Sequence, residues 1–146
     1  MNPPNQLRLV VSGHDTVLTA LPAGTAWVLP VGTSTLWPPA VNGPSAVAIE
    51  GAIQVVEDAI ERVAGLVPRV PRALVPASVL APLQWPPAEP IPMDRIERAY
   101  QALAARAMGS PSAHGSGFAD PAGDALVLIL RELMHHLGWT ALQMES

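Results

Sequence analysis

A chain of 146 residues, 49% apolar and only 14% charged, is long enough for one domain with a sizeable core but has few charges to solvate a surface. Its eight basic residues are all arginine, and twelve acids bring the net charge to −4, which excludes the basic stripe of a nucleic-acid-binding module. The absence of cysteine excludes disulfides, thiolate nucleophiles and cysteine-ligated zinc or iron–sulfur centres.

A single domain over residues 1–146 is the simplest reading. The low charge fraction predicts that some apolar surface is covered by a second copy or another partner, so a homodimer is expected. No apolar run approaches the length of a membrane span, and residues 1–13 lack a basic stretch followed by a long apolar one. A cytoplasmic protein is the resulting expectation.

Gln6–Ser12 (QLRLVVS) and Thr16–Leu21 (TVLTAL), joined through Gly13-His14-Asp15, read as a β-hairpin. Thr25–Val31 follows a second turn signal, Pro22-Ala23-Gly24, and completes a three-strand antiparallel meander. Gly32–Pro44 is a loop whose Leu36, Trp37 and Val41 predict that it is packed down.

Ser45 starts a helix to about Leu66, because Ile49, Ile53, Val56, Ile60 and Val63 recur at alternating spacings of four and three. Glu57, Asp58 and Glu61 with Arg62 read as its wet flank rather than as a carboxylate cluster for metal. Eight prolines within residues 67–92 argue against any helix there. Ala77–Trp85 is expected as a fourth strand beside the meander, with Pro82 confining it to an edge or bulge. The PPAEPIP run (Pro86–Pro92) reads as packed connector.

Asp94 is expected to cap a helix to about Met108, paired with Glu97 in a capping box. Ile96, Tyr100, Leu103 and Ala107 form its inward stripe; Arg95, Arg98 and Arg106 face out. Gly109–Ala119 is a Gly/Ser-rich loop around His114 and Phe118. Asp120 and Pro121 mark the start of the last helix, and Gly138 its end. The run from Ala125 to Leu130 is apolar all round, so this helix is predicted to be enclosed by protein on most sides. A short tail follows. The whole is α+β: a small antiparallel sheet of three to four strands packed with about three helices.

Four features carry candidate chemistry. Glu132, His135 and His136 stand in the last turn of the final helix, at the three- and four-residue spacings that share a face, and are the candidate ligands for a divalent transition metal. The chain has no second Glu-x-x-His, and the order is not that of the zincins. The plainer account is that both imidazoles stabilise the helix end. His14-Asp15 has the form of an oriented base, with Ser12, Ser34 or residues 110–116 as nucleophile, but no Gly-x-Ser-x-Gly elbow accompanies it. His114 sits in a flexible-looking loop at the far end of the helix that bears the other two histidines. Trp37 and Trp85 both precede Pro-Pro and, with the final helix, form the walls expected of an apolar ligand pocket; otherwise they plug irregular chain onto the core.

The leading expectation is therefore a non-enzymatic homo-oligomeric interaction or assembly module. The alternatives are a small metal-dependent enzyme or metal-binding protein built on Glu132, His135 and His136, and a binder of small apolar ligands.

Overall fold

A computed structural model of the chain describes residues 5–39, 43–86, 90–110 and 117–145. The meander is present as β1 (Gln6–Val11), β2 (Thr16–Leu21) and β3 (Ala26–Leu29), all antiparallel, with Leu9 opposite Leu18 and Leu18 opposite Trp27. The period-two alternation puts Leu7, Leu9, Val11, Leu18 and Ala20 on a buried face and leaves Arg8 outside.

Helix α1 (Ala46–Ala64) begins where expected: Ser45 Oγ accepts the Ala48 N–H at 3.1 Å. Its buried stripe is Ile49, Ala52, Val56, Ala59 and Ile60, while Ile53 and Val63 are only half-buried. The buried side thus lies slightly round the helix from the one drawn through the large aliphatic residues.

The region after α1 corrects the sequence reading. The fourth strand is β4 (Arg72–Val75), between Pro71 and Pro76, and it pairs in parallel with β1. Ala77–Leu80 is a helical turn, α2, continued by a 3-10 turn over Ala81–Leu83. Proline is compatible with both, because Pro76 stands at the cap of one and Pro82 in the first turn of the other, where no intrahelical N–H is required.

A two-residue strand, β5 (Ile91–Pro92), leads into α3 (Met93–Ala107). The expected capping box does not form. Pro92 occupies the cap position, Asp94 lies inside the first turn, and Glu97 turns its carboxylate to Arg131 on another helix. Arg106 also departs from the outward row and pairs with Asp124 at 2.7 Å.

Helix α4 (Ala122–Leu137) has the predicted ends: Asp120 Oδ1 accepts the Ala122 N–H, and Gly138, at φ 75°, closes the helix onto the Met134 carbonyl. Every residue from Gly123 to Leu130 is buried, as are Glu132, Leu133, Met134 and Leu137. The cover comes from α1, α3 and the 3-10 turn at Ala81–Leu83 within one chain, so no second copy is needed to enclose it.

What reads as a tail is an inner strand. β6 (Ala141–Met144) lies parallel to β4, and β5 runs antiparallel along its other side. Among the described residues the sheet is therefore six-stranded and mixed, in the order β3-β2-β1-β4-β6-β5, and four helices accompany it. The α+β class stands, while the purely antiparallel sheet of three to four strands with three helices does not. Parallel pairing escapes a reading that expects strands to be joined by tight turns, because β1, β4 and β6 are linked only through long crossovers that contain helices. No helix among the described residues is long and apolar enough to cross a membrane.

Candidate functional site

The last turn of α4 lies against α1 at the end of the molecule where β4 and β6 begin. Thr140, just before β6, donates its N–H to the Pro71 carbonyl, and Arg69 Nη1 donates to the His136 carbonyl at 3.0 Å. That guanidinium supplies the positive charge that a helix C-terminus attracts.

Glu132 is buried, with only 3% of its side chain exposed, although it carries a carboxylate. Its two oxygens face different neighbours. Oε2 accepts from Arg131 Nη1 at 2.8 Å; Oε1 lies 3.7 Å from His136 Nε2, one helical turn on. Glu57, projecting from α1, places Oε1 at 3.5 Å from the same imidazole nitrogen. Glu57, Glu132 and His136 can each aim one ligand atom so that all three atoms lie within 4.8 Å of one another.

The electrostatics follow from this packing. Burial, followed by the hydrogen bond with Glu57, raises the pKa of Glu132, and Arg131 and His136 only partly oppose the rise. Burial and the neighbouring carboxylate both favour a proton on Glu132 or a cation beside it.

His135 takes another direction. Its Nε2 lies 3.4 Å from Glu97 Oε2 on α3, an oxygen that also accepts from Arg131 Nε at 2.8 Å. The Arg131 guanidinium lies 4.0 Å from the Tyr100 ring centroid. The hydrogen bond from Arg131, against the opposing cost of burial, lowers the Glu97 pKa to about 2, with Gln101 and His135 adding to the effect.

A group whose folded pKa is depressed contributes stability above its unfolded pKa and loses it as pH falls toward the folded one. The window for Glu97 is therefore from about pH 4.5 down to about 2. Because its side chain is 32% exposed, screening limits the contribution to about 1 kcal/mol. Urea midpoints should show Glu97→Gln less stable than wild type at pH 6, with the difference shrinking toward pH 2.

Of the three residues singled out in the sequence, Glu132 and His136 converge and His135 does not. The third donor, Glu57, lies on the flank read as solvated. Its i, i+4 relation to Glu61 and its neighbour Asp58 suggest a wet side, and only the packing of α1 on α4 brings it to Glu132.

The other candidates remain apart. His14 and Asp15 are exposed, and among the described residues no hydrogen bond joins them; Asp15 instead closes the turn through Ser12. Ser34 does reach this turn, donating its N–H to the Gly13 carbonyl at 2.8 Å. His114 lies outside the described residues. Trp27, Trp37 and Trp85 pack partly buried against the core, and Trp139 is fully buried. A pocket of about 190 Å³ beside Trp85 is lined by Leu80, Gln84, Ile91 and Met144 among others, with no contribution from Trp37 or α4. It is smaller than the roughly 300–1,000 Å³ of ordinary ligand sites.

No family model and no curated protein matches the chain. A solved structure does. The chain is similar to the PPX-GPPA enzyme of Aquifex aeolicus, with a TM-score of 0.66 at 10% identity. The likeness covers 99% of this chain and 54% of that one, so this chain spans about half the length of its neighbour. At such identity the likeness is one of fold alone.

Proposed function

We propose that the chain is a metal-binding protein, with Glu57, Glu132 and His136 as the ligands of one divalent cation. The observation that carries this reading is the enclosed carboxylate of Glu132, whose Oε1 lies 3.7 Å from the same His136 nitrogen that Glu57 Oε1 approaches at 3.5 Å. A bound cation would offset the buried charge of the Glu132 carboxylate in place of the proton that its raised pKa favours. Donor separations of 3.5 and 3.7 Å need to contract by only a few tenths of an ångström to suit metal–donor bonds of about 2.0–2.2 Å. Glu57 and His136 are each about a third exposed, so the remaining coordination positions would face water, the precondition for metal-assisted chemistry.

The cluster lies at the amino ends of β4 and β6, whereas open sheets commonly hold substrates beyond the carboxyl ends of their strands. The cluster is therefore proposed as a cation site with no reaction assigned to it.

The test is equilibrium dialysis of untagged protein against Zn²⁺ and Mn²⁺, followed by metal analysis. About one equivalent should bind, and an excess of about 100 times Kd should raise stability by about 2.7 kcal/mol. Glu57→Gln and His136→Ala should each weaken binding about tenfold or more, and His135→Ala should leave it unchanged. Less than about a tenth of an equivalent bound to wild type, with no thermal shift, refutes the reading.

A further inference from the structure

Arg131 occupies an unusual place for a cation beside a cation site. Its guanidinium is fixed from three directions: Nε on Glu97 Oε2, Nη1 on Glu132 Oε2, and the plane against Tyr100. It is 22% exposed and spans α3 and α4, so it cannot swing aside without breaking both ion pairs. Oε2 of Glu132 is thereby engaged, and the other oxygen, Oε1, is the one that lies 3.7 Å from His136 Nε2.

That division matters for which ion fits. Ca²⁺ seeks six to eight oxygens and commonly takes a carboxylate through both of its atoms. A site that offers one oxygen of Glu132, one of Glu57 and one imidazole nitrogen, all from stiff helices, provides too few hard donors for it. An imidazole among few ligands suits Zn²⁺ and its first-row neighbours.

We infer that Arg131 is the specificity-determining positioning residue of this site, restricting Glu132 to a single ligand oxygen so that the site accepts a first-row transition cation and rejects Ca²⁺. The inference rests on the cation-site reading given above.

Calorimetric titration of the full chain with Zn²⁺ and with Ca²⁺ tests it, with Arg131→Met and Glu97→Gln compared with wild type. Wild type should bind Zn²⁺ at least about 100-fold more tightly than Ca²⁺. Arg131→Met releases Oε2 and should narrow that ratio about tenfold, mainly through tighter Ca²⁺ binding. Should Arg131→Met fail to fold, Glu97→Gln, which removes one anchor of the guanidinium, should narrow the ratio in the same direction. A ratio unchanged in the folded variants, or both affinities falling alike as a merely structural role demands, overturns the inference while leaving the site in place. Ca²⁺ bound by wild type within tenfold of Zn²⁺ overturns it as well. Failure of wild type to bind either ion removes the site itself and the inference with it.

Discussion

Leu130→Asp should yield no folded protein. Leu130 is fully buried at the middle of α4, the helix packed between α1 and α3. The substitution forfeits about 2–3 kcal/mol of apolar burial and places a carboxylate where no cation can reach it, at a further cost of several kcal/mol. Their sum approaches the entire stability of a domain this size, roughly 5–15 kcal/mol. Circular dichroism should show neither native ellipticity nor a cooperative thermal transition. Leu130→Ala, which leaves a cavity but no charge, should still fold, about 2–5 kcal/mol less stable. Ile53→Asp has the same appearance in the sequence, yet Ile53 is only half-buried and its variant should remain folded.

The second large effect comes from adding a single methyl group. A Cβ at Gly32 would lie 2.5 Å from the carbonyl carbon and oxygen of Gly13 and from the amide nitrogen of His14. All three are backbone atoms, so no side-chain rotation relieves the contact. The two segments are also tied together, Thr33 N to Ser12 O at 3.0 Å and Ser34 N to Gly13 O at 2.8 Å. Gly32→Ala must separate them or distort the β1–β2 turn, and a loss of about 3 kcal/mol is expected in urea unfolding. Gly51, exposed within α1 with nothing near its Cβ position, is the control. Gly51→Ala should raise stability by up to about 1 kcal/mol through helix propensity.

The elements that announce themselves locally are legible in the sequence. The β1–β2–β3 meander follows from β-branched runs between turn residues, α1 from its stripe and the Ser45 cap, and α4 from Asp120, Gly138 and an apolar middle. β4 and β6 are not legible in this way. Each is four residues long, and what makes it a strand is the neighbouring strand, far away in the chain. Ala141-Leu142-Gln143-Met144 has neither β-branched residues nor alternation; its position depends on Thr140 reaching Pro71 and on Leu142 sealing the core. The site divides along the same line. Glu132 and His136 share a helix face, so their spacing reveals them. Glu57 is reached only across a helix–helix contact, and His135, one residue nearer to Glu132 in sequence than His136, points to α3.

The position of β6 constrains how the molecule can be made. Residues 141–144 are placed between β4 and β5, so during vectorial synthesis β4 lacks its second partner and β5 its partner until these residues have left the ribosome. The meander can close early, since its pairings are local, but β4 must wait with one edge unsatisfied while some seventy residues are added. A nascent chain arrested before residue 141 should therefore expose the β4 edge to chaperones and proteases, and protection of that edge should arrive in a single late step.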